Sequence, residues 1–280
     1  MDIVSLLNQY LSPRIGQRVR QLAHWPQDLI SLLSNHKRNP LIPPRWRDFV
    51  GGGDFAAVGD LYLRYFVELG QLRTRDQVLD VGCGLGRMAA PLTQYLDLNG
   101  AYWGFDVEPS GIHWCQTRIA KRYPHFHFTL AQVRNRMYNP RGHILPETYR
   151  FPYENQKFDF QFATSVFTYM NALATLHYIE EIGRVLKPGG RSFNTFFLIN
   201  KESLACIRQQ RSSQAFRYQV QDSWTISKTN PEKAIGHSEA TIQERYAQVG
   251  LRIIEPIHYG SWCGRDRYTS YQDMVVAVKE

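Results

Sequence analysis

The run Val78-Leu79-Asp80-Val81-Gly82-Cys83-Gly84-Leu85-Gly86-Arg87 constrains this chain more than any other stretch. It reads as a buried strand, a tight Gly-x-Gly-x-Gly loop and the start of a helix. Gly82, Gly84 and Gly86 can take positive φ and leave no side chain in the way, so a flat ligand can approach the backbone closely. Twenty residues past Gly86, the strand Ala101-Tyr102-Trp103-Gly104-Phe105 ends at Asp106. An acidic residue there can hold both hydroxyls of a ribose. Glycine loop and ribose acid together point to a nucleoside ligand.

The glycine spacing narrows the ligand further. A dinucleotide fingerprint, G-x-G-x-x-G, seats a pyrophosphate on a helix N-terminus. Here the third glycine comes one residue early. No Lys-Ser or Lys-Thr follows, which excludes a phosphate-binding P-loop. At these residues the chain resembles the class I S-adenosylmethionine-dependent methyltransferases, whose first motif is acid-x-Gly-x-Gly-x-Gly. Phe158-Asp159-Phe160-Gln161-Phe162-Ala163 resembles that family's fourth strand. Val185-Leu186-Lys187-Pro188-Gly189-Gly190-Arg191 resembles the turn that opens its fifth. The likeness spans Phe49 to Leu198, and more loosely the C-terminal end.

The resemblance implies a Rossmann-like α/β fold. Its seven-stranded, mostly parallel sheet has helices on both faces, and the last strand (Met274-Val275-Val276-Ala277-Val278) lies antiparallel beside the fifth. The sequence agrees in its alternation of strand and helix. Strands are predicted at 77–81, 101–105, 126–130, 158–163, 191–198, 251–258 and 273–279. A helix is expected from Phe55 to Leu69, ended by Gly70. Ser238 or Thr241 can cap another that runs to Val249 and stops at Gly250.

Residues 1–50 read as a helical arm or lid, closed by a Pro-rich connector with Pro40, Pro43 and Pro44. Residues 51–280 read as the methyltransferase domain. Stretches near 134–154 and 200–237 exceed a minimal fold, and loops of that length in a compact domain are usually functional. With the arm, they are the expected seat of substrate specificity.

Bulk composition sets limits on class and compartment. Hydrophobic residues make up 43% of the 280, enough for a sizeable core. The four cysteines, Cys83, Cys115, Cys206 and Cys263, are scattered without a C-x-x-C, which fits free thiols and neither a disulfide framework nor a zinc site. No metal is expected. The first ten residues lack a signal peptide's basic start and long apolar stretch, and no run approaches a membrane span. A cytoplasmic protein is the expectation. Net charge is +8, which suits solubility or an acidic partner. Residues 1–50 carry part of it, with seven basic residues against three acidic.

By the resemblance, S-adenosyl-L-methionine is the cofactor. Asp80 steadies the glycine loop and the methionine end, Gly82, Gly84 and Gly86 let the backbone pass close, and Asp106 binds the ribose. Gln132 stands where many relatives place an aspartate for the adenine amino group; its side-chain oxygen can accept the same bond. Val133 would offer its backbone N–H to the adenine ring. Thr164 and Ser165 lie at the carboxyl edge of the sheet, where ligands bind in such folds. Gly51-Gly52-Gly53 either covers the methionine tail or links to the next helix.

Methyl transfer is an in-line displacement at an activated methyl, so a general base is needed only where the nucleophile must lose a proton. The fourth strand runs on through Ala-Thr-Ser-Val-Phe-Thr-Tyr, residues 163–169. That excludes the Asn/Asp-Pro-Pro-Tyr of amino-methylating enzymes, and no Pro-Cys nucleophile of a cytosine C5 enzyme is present. The segment 164–170 resembles bacterial small-molecule methyltransferases, with Tyr169 where a histidine is common. Tyr169 either orients an acceptor or packs against the adenosine. His237, just before the Ser238 cap, is the remaining catalytic candidate; His177 and His258 read as structural. Trp262 and Arg265, in Tyr259-Gly260-Ser261-Trp262-Cys263-Gly264-Arg265, are substrate-binding candidates in what is otherwise a turn. The expected activity is O-methylation of a small or medium metabolite through a hydroxyl or carboxylate, a peptide-like acceptor included. An RNA or protein methyltransferase and a non-catalytic cofactor-binding module are the rivals. Nucleic acid is the less favoured partner, and oligomeric state stays open.

Overall fold

The structure, a computed structural model, describes residues 39–48 and 53–280. The helical arm expected before residue 39, and Gly51 and Gly52, lie outside the described residues. The Pro-rich connector ends in a 3-10 turn at Arg45–Arg47 and buries Leu41.

Helix α1 (Phe55–Glu68) starts at Asp54, whose carboxylate accepts the Ala57 N–H at 2.8 Å. Strand β1 (Gln77–Val81) leads through the glycine loop to α2 (Ala89–Tyr95). Strand β2 (Ala101–Asp106) is followed by α3 (Pro109–Cys115), which Glu108 caps at the Gly111 N–H. Then come β3 (Phe126–Leu130), β4 (Phe158–Ala163) and α4 (Ala172–Val185), the last capped by Asn171. Strand β5 (Leu186–Phe196) passes into β6 (Leu198–Ile199) and α5 (Lys201–Arg208). Strands β7 (Tyr218–Val220), β8 (Ser223–Thr225) and β9 (Ile235–Ser238) precede α6 (Glu239–Gln248). Strands β10 (Leu251–Ile253) and β11 (Asp273–Lys279) close the chain.

The main sheet has seven strands in the order β10-β11-β5-β4-β1-β2-β3. Strands β1 to β5 pair in parallel, while β11 runs antiparallel to both β5 and β10. This is the expected Rossmann-like fold, with apolar cores on both faces. On one, the buried Phe66 of α1 stacks on Phe162 at 4.4 Å and meets Phe193 edge-on at 5.1 Å. On the other, Ile179 and Ile182 of α4 pack with Leu79, Val81 and Tyr246. Burial of such side chains is worth about 1.5–3 kcal/mol each.

Two expectations need correction. The strand expected at 251–258 stops at Ile253; beyond it Pro256 has no N–H to donate, and only an isolated bridge joins His258 to Met274. The strand expected at 191–198 ends at Phe196, and Leu198 begins a second sheet, β6-β9-β8-β7. The 200–237 stretch therefore forms strands of its own. Its apolar side gathers Phe197, Phe216 and Trp262. The 134–154 stretch is also packed. Val133 bridges Ile144, Asn135 Oδ1 accepts the Met137 and Tyr138 N–H groups at 2.9 Å, and Tyr149 and Phe151 are buried.

Candidate active site

A cavity of about 430 Å³ opens over the carboxyl ends of β1, β2 and β4. That is where the strand order reverses around β1, the switch point at which ligands bind in open α/β sheets. Its size is that of a small-molecule site.

The glycine loop forms the floor. The N–H groups of Gly82 and Cys83 both reach the Phe105 carbonyl, at 2.9 and 3.1 Å. Gly82 has φ +84°, and a Cβ there would be strained and would crowd Val166 Cγ2. Gly84, at φ +52°, donates its N–H to Asp106 Oδ2 at 2.8 Å. The other Asp106 oxygen accepts from Glu108 N–H at 2.8 Å. Burial pushes the Asp106 carboxyl up, against the pull of these donors.

Asp80 is the most perturbed acid of the wall. It is 1% exposed, and its Oδ2 accepts from the Tyr102 hydroxyl at 2.6 Å. Its Oδ1 has no hydrogen-bond partner. Burial, with Asp106 nearby and the Tyr102 bond acting against it, pushes its pKa up to about 8. An unpartnered buried carboxylate oxygen is costly and suits a cationic ligand group.

Val133, Thr164 and Tyr169 also line the cavity. Tyr169 closes a 3-10 turn, and burial raises its hydroxyl above the ordinary phenol value. Ser165 beside it holds φ +59°, a conformation that costs a non-glycine residue of order 1–3 kcal/mol. Two side-chain bonds hold it there: its N–H to Thr195 Oγ1 at 2.8 Å, and its Oγ to Gln272 Oε1 at 3.1 Å.

Five of the residues singled out in the sequence lie away from the cavity wall. Gly86 packs against Ile119 and Cys115 behind the loop. Gln132 is exposed, and its backbone carbonyl is engaged by the His143 and Ile144 N–H groups; Arg134 and Asn135 line the cavity instead. His237 is 2% exposed, with Nε2 2.8 Å from the Phe167 carbonyl oxygen. Burial pulls its pKa down to about 4. Trp262 donates its indole N–H to Asp273 Oδ2 at 2.7 Å, and Arg265 donates to Asp273 Oδ1 at 3.0 Å and Glu202 at 2.8 Å. Both are buried structural ties, and the chemistry that marked them out serves the fold.

Conversely, the structure brings in residues the sequence did not flag. Tyr62 comes from α1, Tyr271 and Gln272 from the start of β11, and Arg87 from the glycine loop. Arg87 pairs with Asp48 at 3.0 Å and covers the Phe55 ring, tying the connector to the loop. Only α1's helical period offered a signal for Tyr62, since Val58 and Tyr62 are four residues apart on one face.

A family model described as a methyltransferase domain matches residues 78–190, from the first strand through the turn that opens β5. Over those residues the chain is similar to methyltransferase domains, in line with the resemblance carried by its glycine loop. Its fold is similar to a protein from Pyrococcus horikoshii OT3, at TM-score 0.55 and 14% identity over 82% of this chain and 93% of that one. It is likewise similar to magnesium protoporphyrin IX methyltransferase from Synechocystis PCC 6803, solved with bound SAH. There the TM-score is 0.52 and identity 17%, over 84% of this chain and 93% of that one. Among the described residues of the chain, no helix is long and apolar enough to cross a membrane.

Proposed function

We propose that the enzyme methylates an oxygen of a small or medium metabolite, with a hydroxyl or carboxylate as acceptor. The observation that carries this reading is the cavity itself, about 430 Å³, a small-molecule size, with Tyr62, Tyr169, Tyr271 and Gln272 walling it beyond Asp80 and Asp106.

On this reading Asp106 holds the ribose hydroxyls, its two backbone donors fixing the carboxylate in place. The bare Oδ1 of Asp80 faces the ammonium of the methionine end. Gly82 and Gly84 give the close backbone approach, and the Val133 N–H meets the adenine. The bound cofactor supplies a sulfonium methyl already activated for displacement. The chain's own task is then to align the acceptor and exclude competing water. Tyr169, a neutral phenol, serves to orient the acceptor; with its hydroxyl raised it is no base near neutral pH.

The test is the destination of label from methyl-tritiated S-adenosylmethionine. Full-length protein is incubated with a whole-cell extract separated into small-molecule and macromolecular fractions. Label in the small-molecule fraction supports the reading. Label confined to RNA or protein would replace it with the macromolecular alternative, for which the net charge of +8 is the motive.

A further inference from the structure

The wall of the cavity is chemically divided along the sheet order. Asp80 and Asp106 stand on β1 and β2, and Val133 follows β3. Thr164, Ser165 and Tyr169 follow β4, while Tyr271 and Gln272 open β11, two strands further on. The acids therefore lie on one side of the cavity, and Tyr62, Tyr169, Tyr271 and Gln272 on the other.

On the second side most polar groups are already engaged. The Tyr271 hydroxyl accepts from Gln214 Nε2 at 2.8 Å and pairs with Ser213 Oγ at 3.0 Å, so its ring is held as a wall. The Tyr62 hydroxyl is bonded to Ser270. Ser165 gives its proton to Gln272 Oε1. That bond fixes the Gln272 amide and settles which end faces away from Ser165. Three groups are left over: the Gln272 Nε2, and the hydroxyls of Tyr169 and Thr164. None has a hydrogen-bond partner among the described residues, and all three line the cavity. All are neutral donors. Among the described lining residues there is no histidine, lysine or glutamate.

We infer that the acceptor is a carboxylate carried on a flat or apolar body, received by the Gln272 amide and the Tyr169 hydroxyl between the rings of Tyr62 and Tyr271. This rests on the reading of the enzyme as an O-methyltransferase of a small metabolite. An alcohol must lose its proton as it attacks, and no described group on this side can take it. An amine would arrive as a cation, and no described carboxylate faces it there. A carboxylic acid, with an ordinary pKa near 4, arrives already ionised. It accepts bonds from neutral donors and needs no base. In the step, a carboxylate oxygen supplies the electron pair of the new O–CH3 bond. The S–CH3 bond breaks with its pair left on sulfur, so the sulfonium becomes a neutral thioether, and no proton moves. The product is a methyl ester.

The chemical form of the product tests this directly. Small-molecule product labelled with methyl-tritiated cofactor is treated with mild base, which hydrolyses an ester to volatile tritiated methanol and leaves methyl ethers, N-methyl and C-methyl groups intact. The expected result is volatile label. Base-stable label in a small molecule overturns the carboxylate while leaving the small-metabolite reading in place. Label in macromolecules overturns that reading instead, and there too its base lability decides the acceptor group. No transfer by protein that binds cofactor overturns both. The residue assignment is tested by Gln272→Leu and Gln272→Glu, each checked for cofactor affinity by calorimetry. Loss of a bond to a charged acceptor predicts about 10- to 100-fold lower kcat/KM for Gln272→Leu. Gln272→Glu should be lower still, because it sets a second negative charge against the acceptor while Ser165 keeps its bond. Cofactor affinity should be unchanged in both. A Gln272→Glu enzyme as active as the wild type would overturn the assignment.

Discussion

His237 offers a clean measurement of whether its burial, and not its chemistry, accounts for its place in the fold. The ring is 2% exposed, with Nε2 2.8 Å from the Phe167 carbonyl and Nδ1 3.3 Å from Ser223 Oγ. A carbonyl oxygen can only accept, so the neutral tautomer carries its proton on Nε2 and takes the Ser223 hydroxyl at Nδ1. Asp222 shares a small cavity with the ring, but the ring's bonds go to Phe167, Ser223 and, at 3.5 Å, the Thr175 hydroxyl, and burial brings its pKa down to about 4. The folded state therefore resists protonation that the unfolded chain accepts at a pKa of about 6.5. Between those values the unfolded state binds more protons, so stability falls as pH falls. Taking about 4 and 6.5 as the two values, lowering the pH from about 7.5 to about 5 removes on the order of 2 kcal/mol. For a domain this large that is about 4–8 °C in Tm. Asp80, whose folded pKa is raised, pulls the whole-protein profile the other way, so the wild-type curve alone would mislead. The informative quantity is the difference between wild type and His237→Gln, whose amide can still reach Phe167 but does not titrate. Denaturant unfolding across that pH range should show the wild type losing about 2 kcal/mol relative to the variant. Parallel curves would refute the burial argument.

Three further outcomes follow from the cavity. Gly82→Ala crowds a Cβ against Val166 Cγ2 at φ +84°, and should cost roughly 1–3 kcal/mol of stability and weaken cofactor binding at least about tenfold. Normal calorimetric affinity would show that the cofactor does not approach this backbone. Asp106→Ala should weaken cofactor binding by about 1–3 kcal/mol, roughly 5- to 150-fold, and an unchanged affinity in a folded variant would remove Asp106 from the site. Asp80, with a pKa of about 8, holds a proton in the free protein at pH 7 and should release close to one as it meets the cofactor's ammonium. Binding enthalpy at pH 7 should then vary with the buffer's ionisation enthalpy, and Asp80→Asn should abolish that variation; a buffer-independent wild type contradicts it.

The parts of the site that could be read from sequence are those set by local physics. The strand, glycine loop and Asp106 lie within one β–loop–α–β unit, where each residue's role follows from its own backbone or its near neighbours. The tyrosine side could not be read, because it is assembled across the chain. Tyr65 of α1 donates to the Thr269 carbonyl at 2.9 Å, more than two hundred residues away, and that packing sets Tyr62 against the β11 approach. Gln132 was misplaced for a different reason. After Leu130 the chain leaves β3, and with Gln132 exposed it is Val133, buried beyond it, that reaches the cavity. Likewise Gln161, Ser192, Asn194 and Tyr246 form a fully buried hydrogen-bonded network that strand periodicity alone would not place inside a core.

Trp262 and Arg265 show how site-like composition can act at one remove. Asp273 is 0% exposed and accepts from the Leu198 and Gly260 N–H groups at 2.7 Å, as well as from Trp262 and Arg265. Burial pushes its carboxyl up to about 6 against the pull of those four donors. Arg265 in turn is braced by Glu202 of α5. A buried charge held this way is costly to strip of its partners and tolerates little movement. Asp273 is the first residue of β11, and its neighbour Gln272 carries the amide that meets Ser165. The second sheet and α5 thus reach the cavity through Asp273, by holding the start of β11 in place. Variation in the 200–237 stretch can change how the acceptor is seated without any residue of that stretch touching it.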